Sequence, residues 1–147
     1  MKRVRTAIVG CGKVGQIHAE ALLELPESEF AAVCDSSCER AQDFAARYGA
    51  KPFTDVAAML QDGKVEAVFI CTPHPLHAET AVQAAEAGVH VLVEKPMAAN
   101  LKDCDAMLQA AHKAGIKLGV VSQRRFYEPV QRMKAAIDAG KIGTPCL

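Results

Sequence analysis

The sequence predicts an α/β fold, a doubly wound and mostly parallel sheet with helices on both faces, in three α/β/α layers. Short apolar runs typical of buried strands alternate with longer segments whose apolar residues recur at helical spacing. Such alternation favours right-handed crossovers between parallel strands, which place helices on both faces of the sheet. With 147 residues, half of them hydrophobic, the chain is long enough for one domain with a sizeable core.

The first strand ends in a glycine turn. An apolar run from Val4 stops at three glycines spaced G-x-G-x-x-G, which are Gly10, Gly12 and Gly15. In a strand–turn–helix unit, the first glycine permits the tight turn, the second lets the backbone approach a pyrophosphate, and the third lets the helix pack on the sheet. The spacing therefore predicts a dinucleotide site, although three neighbouring glycines alone are also common in ordinary loops.

The helix after this turn is predicted over residues 13–25. Its first residues, Lys13 and Val14, carry backbone N–H groups at the positive end of the helix dipole, which favours negative charge. We therefore expect both residues to contribute to the phosphate site.

The second strand, predicted over residues 30–35, ends at an acid. Asp35 lies 20 residues past Gly15, where a carboxylate can accept hydrogen bonds from the adenosine ribose and repel a 2′-phosphate. This predicts NAD rather than NADP as the cofactor. Asp35 could instead cap the next helix, but Ser36 or Ser37 could also do so. Arg40 could hold an NADP phosphate, but the sequence favours a solvated helix residue because Asp35 opposes that phosphate.

The remaining elements alternate to the end of the chain, and two further helix caps are predicted, at Thr54 and Asn100. Lys51–Phe53 is expected to be an edge strand, because its proline cannot donate to a central ladder. The predicted helices are 38–48, 56–60, 76–87, 101–114 and 128–139, and the predicted strands are 51–53, 65–71, 89–93 and 117–121.

Polar segments follow three of the predicted strands, so they lie at the carboxyl edge of the sheet. Ligands of this fold bind at that edge. The segments are Thr72–His77, Glu94–Pro96 and 122–127. An ammonium at Lys95 could polarise a carbonyl or help remove a hydroxyl proton, since lysine shifts its pKa readily when partly buried. Without Asp35 and the glycines, a Lys-Pro pair would be interpreted as a surface turn.

Composition argues against several other functions. The formal net charge is zero and Trp is absent, so we expect no nucleic-acid partner. Six scattered cysteines (11, 34, 38, 71, 104 and 146) contain no C-x-x-C pair, which predicts reduced thiols and no metal site. No apolar run is long enough for a membrane span or an export signal, so we expect a cytoplasmic protein. His18, His90 and His112 are expected to be structural or solvated.

These motifs together resemble the N-terminal half of the Gfo/Idh/MocA oxidoreductases, over the whole chain. The resemblance is carried by the glycine motif, Asp35 and the segments Cys71-Thr72-Pro73…His77, Glu94-Lys95-Pro96 and Arg125-Phe126…Pro129…Gly140-Lys141-Ile142-Gly143. The Glu-Lys-Pro triplet is the most specific element. The resemblance implies a two-domain NAD(P)-dependent dehydrogenase acting on sugars, polyols or their keto forms.

The resemblance also implies roles for individual residues. Lys95 would be catalytic, beside the nicotinamide and the reacting hydroxyl or carbonyl, with a Lys95–Pro96 bond that can be cis, and Glu94 would contact the nicotinamide ribose. Gln123 would lie near the nicotinamide. The cofactor crevice would be lined by Thr72, Pro73 and His77.

The family's C-terminal half forms the substrate pocket and oligomer contacts, and the sequence ends where that half should begin. Residues 1–121 are therefore expected to be the dinucleotide-binding Rossmann core, and residues 122–147 a connecting segment with a helix leading toward an absent substrate domain. Alone, this chain is expected to bind NAD but to turn over little substrate. The alternatives are an NAD-binding sensor and a self-associating scaffold, since apolar surface on helix 128–139 would favour a homo-oligomer.

Overall fold

The computed structural model describes residues 2–144 and contains six strands and six helices within them. The strands are β1 (Val4–Val9), β2 (Ser28–Cys34), β3 (Lys51–Phe53), β4 (Ala67–Ile70), β5 (His90–Val93) and β6 (Leu118–Val120). The helices are α1 (Lys13–Glu24), α2 (Cys38–Tyr48), α3 (Val56–Asp62), α4 (His77–Glu86), α5 (Leu101–Ala114) and α6 (Glu128–Asp138), with 3-10 turns at His74–Leu76 and Gln123–Phe126.

All six strands form one parallel sheet in the order β3-β2-β1-β4-β5-β6. This confirms the predicted doubly wound α/β class. β3, which contains Pro52, lies at the edge as predicted, where a missing N–H costs no central ladder bond. The chain runs from β1 outward through β2 and β3, then returns to the other side of β1 with β4. The sheet order therefore reverses between β1 and β4.

The core lies on both faces of the sheet because consecutive strand residues point to opposite sides. In β1, Ala7 and Val9 belong to one buried cluster, which includes Met59 and Met107. Ile8 belongs to a second cluster on the other face, together with Phe44. Two apolar layers separated by one sheet give the predicted three-layer arrangement.

Two of the predicted helix caps are confirmed. The Ser37 side chain accepts a hydrogen bond from Arg40 N, and Asn100 accepts one from Asp103 N. The predicted cap at Thr54 is wrong, because Asp55 occupies that position and its carboxylate accepts from Ala58 N at 2.8 Å. Asp55 directly precedes α3 and has extended backbone, so its side chain is the one that reaches the first free N–H groups.

The last elements are much more exposed than the rest. β6 is a three-residue edge strand, and α6 contains no buried residue. Val130 and Met133, on the predicted apolar stripe of α6, are both exposed, and Glu128 and Arg132 form an ion pair on the surface of the helix at 2.5 Å. This helix is therefore held mainly by its own backbone and by local contacts.

Candidate functional site

The carboxyl ends of the strands are joined into one edge by backbone hydrogen bonds beyond the regular ladder. Gly10 N donates to Cys34 O at 2.8 Å, and Cys71 N donates to Val9 O at 2.7 Å. On the other side of β4, Glu94 N donates to Ile70 O at 2.9 Å. The edge therefore brings together the glycine turn, Asp35, Thr72 and Glu94, where the sheet order reverses and ligands of this fold class bind.

The three glycines of the turn have different surroundings. Gly10 has φ +101°, and a Cβ there would lie 2.7 Å from the carbonyl carbon of Cys71, so the turn must be free of a side chain. A Cβ at Gly15 would lie 2.3 Å from the carbonyl oxygen of Gly10. A Cβ at Gly12 would meet nothing within 4 Å. Gly10 and Gly15 thus serve packing, whereas Gly12 faces open space.

Helix α1 begins directly at this open space. Its N-cap is Gly12, which supplies no capping side chain, and Gln16 N makes the first helical bond, to Gly12 O at 3.1 Å. The N–H groups of Lys13, Val14 and Gly15 precede that bond, so they have no acceptor within the helix. The structure therefore presents the N-terminal N–H groups of a helix beside the glycine turn, an arrangement suited to an anion.

Asp35 is a buried carboxylate with several donors. Oδ2 accepts from Cys11 N at 3.0 Å, and Oδ1 accepts from Ser37 N at 2.9 Å. Burial opposes ionisation, but hydrogen bonds from the Arg40 side chain and these two N–H groups, together with the Arg40 charge, outweigh it and hold the pKa of Asp35 below its ordinary value. Asp35 therefore remains ionised at neutral pH, as a ribose acceptor must.

Arg40 does more than the sequence predicted. Its Nη2 and Nε donate to Asp35 Oδ1 at 2.8 and 3.1 Å, so the expectation of a purely solvated helix residue is wrong. The two residues lie five positions apart, at the end of β2 and in the first turn of α2, so the fold brings the guanidinium to the acid. Its side chain remains 60% exposed and also lines the crevice.

A crevice of about 570 Å³ lies along this edge. Its lining includes Gly10, Gly12, Asp35, Thr72 and Pro73, all of which were predicted to bind the cofactor. The hydroxyl Oγ1 of Thr72 is buried and has no hydrogen-bond partner among the described residues. A buried hydroxyl without a partner is costly, so this atom favours a polar ligand at the edge.

His77 is placed differently from the other predicted residues. It is only 1% exposed and does not line the crevice. Its Nε2 lies 2.8 Å from Thr72 O and its Nδ1 lies 3.0 Å from Pro96 O. Since both ring nitrogens contact backbone oxygens, the side chain joins the segment after β4 to the segment after β5 and does not face a ligand.

Lys95 is exposed beyond the end of β5, and the Lys95–Pro96 peptide bond is cis. A second pocket of about 460 Å³ is lined by Lys95, Gln123 and Arg124. Gln123 therefore lies beside Lys95, not in the larger crevice.

Glu94 has a partner that sequence reasoning missed. His18 Nε2 lies 2.8 Å from Glu94 Oε1, and the side chains are 17% and 15% exposed, so the expectation that His18 is merely structural or solvated omitted this contact. One signal was available. His18 lies three residues after Gly15, on the same side of α1 as the buried Gly15 and Leu22, and this face packs on the sheet.

The buried thiols near the site are protonated at neutral pH. Burial, followed by the charges of Asp35 and Cys34, raises the pKa of Cys11 to about 12, and burial followed by Glu94 raises the pKa of Cys71 to about 12. Cys11 contacts Asp35 through its backbone N–H.

All five cysteines within residues 2–144 are free thiols, and Cys146 lies outside the described residues. No group of three or more metal-ligating side chains occurs in that same span.

The family model described as "Oxidoreductase family, NAD-binding Rossmann fold", named for Gfo/Idh/MocA, matches residues 4–122. The chain belongs to this family. The predicted Rossmann-type α/β fold and the resemblance stated from the sequence are thereby confirmed.

None of the helices between residues 2 and 144 has the length and apolarity required to cross a bilayer.

Relatives within the Gfo/Idh/MocA family match almost the whole chain. Myo-inositol 2-dehydrogenase of Thermotoga maritima is 32% identical over 97% of this chain and 43% of the relative. D-glucoside 3-dehydrogenase of Escherichia coli is 35% identical over 95% of this chain and 40% of the relative. The chain thus spans less than half the length of these curated relatives.

Solved structures of similar proteins have the same fold as this chain. The WlbA dehydrogenase of Bordetella pertussis, solved in complex with NADH and UDP-GlcNAcA, superimposes with a TM-score of 0.94 at 36% identity, over 97% of this chain and 44% of that one. Residues 4–122 therefore match the NAD-binding Rossmann fold of the Gfo/Idh/MocA oxidoreductase family in sequence, and the chain matches a solved dehydrogenase in fold.

Proposed function

We propose that this chain is the NAD-binding half of a dehydrogenase that transfers hydride between nicotinamide and a hydroxyl or ketone of a sugar or polyol. One observation carries the proposal. The ionised Asp35 after β2, the glycine turn after β1 and Lys95 after β5 lie along one edge of the sheet, whose strand order there is β2, β1, β4, β5. Adenosine ribose, diphosphate and nicotinamide follow one another along a bound NAD, and this edge offers groups for each in that order.

The turn fits a diphosphate. Open space at Gly12 lets the backbone approach a ligand closely, and the unpaired N–H groups at the start of α1 are donors for its oxygens. Thr72 Oγ1, buried without a partner among the described residues, is a further donor in the same crevice. Lys13, Val14 and Gly15 would hold the phosphates through their backbone.

NAD is the proposed cofactor in preference to NADP. Asp35 Oδ2 has one protein donor, Cys11 N, and carries further acceptor capacity toward the crevice for a ribose hydroxyl. A 2′-phosphate would meet the Asp35 carboxylate and would have to compete with it for Arg40. Since the Asp35–Arg40 contact is already made in the protein, NADP binding would break it.

Lys95 is the proposed catalytic residue. The nicotinamide of bound NAD supplies the hydride acceptor or donor. The Lys95 ammonium would polarise a substrate carbonyl, or hold the proton that leaves a substrate hydroxyl, at the substrate oxygen. Glu94 and Gln123 would lie at the nicotinamide end, because both are next to Lys95 in the structure.

The domain division is also a proposal. Residues 1–121 would form the cofactor-binding core and residues 122–147 a segment connecting it to a substrate-binding half. This is supported by the family match ending at residue 122 and by the absence of buried residues in α6. Sugar and polyol substrates are proposed from the relatives' activities. These 147 residues span less than half the length of the curated relatives, so by themselves they are expected to turn over little or no substrate.

The decisive experiment is titration of the chain with NAD and NADP by calorimetry, beside the variant Gly12→Ala. An added methyl at Gly12 meets no neighbouring atom, although Ala is a poorer N-cap than Gly, so the free energy of unfolding should fall by no more than about 1 kcal/mol. The same methyl would occupy the space for the phosphates, and NAD affinity should fall at least about tenfold, or about 1.4 kcal/mol.

The matched control is Gly49→Ala, at the end of α2 and outside the crevice, which should leave NAD affinity unchanged even though its positive φ costs stability. Absence of binding at millimolar NAD and NADP would refute the proposed function. Equal NAD affinity in the wild-type protein and Gly12→Ala would refute the assignment of the phosphates to this turn.

A further inference from the structure

Lys95 is flanked on both sides by residues that contact a histidine. The preceding residue, Glu94, is bound by His18 of α1, and the following residue, Pro96, is bound by His77 of α4. Neither histidine lines the crevice, and each comes from a different helix. An exposed lysine is thus connected at both neighbours to the folded core.

The contact of His18 extends to the Lys95 backbone. His18 Nε2 donates to the carboxylate oxygen Oε1 of Glu94, because a carboxylate oxygen accepts. The other oxygen of Glu94, Oε2, accepts from Lys95 N at 3.1 Å. The His18 ring also packs against Phe69 of β4, with 5.8 Å between ring centroids. The helix that starts at the glycine turn is therefore linked through one carboxylate to Lys95.

His77 contacts Pro96, the residue that follows Lys95. Its nearly complete burial between Thr72 O and Pro96 O means that few alternative partners exist for its ring nitrogens. A carbonyl oxygen only accepts, so in each contact the ring nitrogen is the donor. Burying an imidazole is costly unless its nitrogens are hydrogen-bonded, and both ring nitrogens of His77 lie within hydrogen-bonding distance of a carbonyl oxygen.

We propose that His18 and His77 are positioning residues that hold the Glu94–Pro96 segment at both ends and so fix Lys95 relative to the glycine turn. The inference deepens the proposed function, on which it rests, because it concerns the residue assigned there to the nicotinamide end. It predicts that loss of either histidine weakens cofactor contacts at the nicotinamide end of the site more than contacts at the adenosine end.

The first experiment uses His18→Phe, which keeps a ring beside Phe69 but removes the donor, and His18→Gln, which keeps a donor of similar reach. His112→Gln, on an exposed position of α5, is the matched control. Backbone ¹⁵N relaxation of the 147-residue chain reports the order parameter of the Lys95 amide. We expect a Lys95 order parameter of about 0.85 in the wild-type protein and in the control. It should fall below about 0.6 in His18→Phe and return to the wild-type value in His18→Gln.

The second experiment compares the affinities of these variants for ADP and for NAD. ADP lacks the nicotinamide and its ribose, so it reports only on the adenosine and diphosphate contacts. In His18→Phe we expect NAD to bind about 3- to 10-fold more weakly and ADP affinity to remain within about twofold of the wild type. An equal loss of both affinities, or an unchanged Lys95 order parameter, would overturn the proposal.

His77 is tested without relying on a variant that could fail to fold. Ring N–H protons are seen by NMR only when hydrogen bonding and burial slow their exchange with water. Signals from the His18 and His77 rings, and none from His112, are the expected result in the wild-type protein. Absence of both signals would refute the two contacts. If the wild-type protein binds neither ADP nor NAD, the proposed function fails, while the order parameter and ring signals still test the positioning of Lys95.

Discussion

The glycine-turn region (residues 4–35) and the terminal region (residues 118–144) are both strand–turn–helix segments, but they are built differently. In the first, the last four residues of β1 are buried, α1 packs on the sheet, and every strand has two neighbours. In the second, β6 is an edge strand and α6 has no buried residue. The first region is stabilised by its own core, whereas the second has an apolar surface that its own core does not cover.

This difference separates two parts of the proposed site. The groups assigned to phosphate and ribose belong to the buried region, so their positions follow from packing. Gln123 and Arg124 belong to the exposed region, and Lys95 is next to it. We infer that the adenosine end of the site is formed in the free protein, while the substrate end depends more on contacts with other surfaces.

The largest effect is expected from Gly15→Ala. Its Cβ would lie 2.3 Å from the Gly10 carbonyl oxygen, and because the obstacle is backbone, neither partner can rotate away. Overpacking of this kind costs about 1–3 kcal/mol, and we expect the upper end of that range. Urea unfolding would measure it. A stability within about 0.5 kcal/mol of the wild type would show that the turn is less tightly packed than described.

Asp35→Asn should have the next largest effect. The substitution removes the charge that opposes a 2′-phosphate and frees Arg40, so the preference for NAD over NADP should fall about tenfold, or about 1.4 kcal/mol. The ratio of the two dissociation constants is the measurement. Asp43→Asn, on the exposed side of α2, should leave the ratio unchanged. An unaltered ratio in Asp35→Asn would remove Asp35 from the specificity of the site.

The same variant has a pH signature. The folded protein lowers the pKa of Asp35, so the carboxylate stabilises the fold fully above the unfolded value of about 3.9 and less as pH falls through the folded value. The difference in unfolding free energy between the wild-type protein and Asp35→Asn should therefore be constant above about pH 5 and shrink below it. A difference that grows on acidification would contradict the assigned direction.

Lys95→Ala should change NAD affinity by less than about threefold, because the side chain is exposed and most cofactor contacts belong to the glycine-turn region. In a full-length relative, the corresponding change should abolish turnover while sparing NAD binding. Calorimetry on the chain and steady-state kinetics on the relative are the two measurements. Retained turnover would refute the catalytic role.

Met133→Ala in α6 should have the smallest effect. The side chain is exposed, so its removal should change the free energy of unfolding by no more than about 0.5 kcal/mol. Thermal or urea unfolding would test this. A loss above about 2 kcal/mol would mean that the helix is packed against another surface in solution, such as a second copy of the chain, and would remove the contrast between the two regions.

By itself, the sequence predicted the fold class and the residues of the glycine turn with Asp35, whereas the order of the strands in the sheet came from the structure. These are local features, because strand periodicity, the glycine spacing and the acid at a strand end are each read from a short stretch. The family followed from adding the Glu94-Lys95-Pro96 triplet to them.

Only the tertiary structure decided which side chains meet across the sheet edge. Arg40 was expected in solvent but binds Asp35. His18 was expected to be structural or solvated and binds Glu94. His77 was expected to line the crevice but is buried outside its lining. His18 and Glu94 are 76 residues apart, and no local pattern records such a contact. They meet because parallel strands bring the ends of distant segments to one edge, which is a property of the assembled sheet.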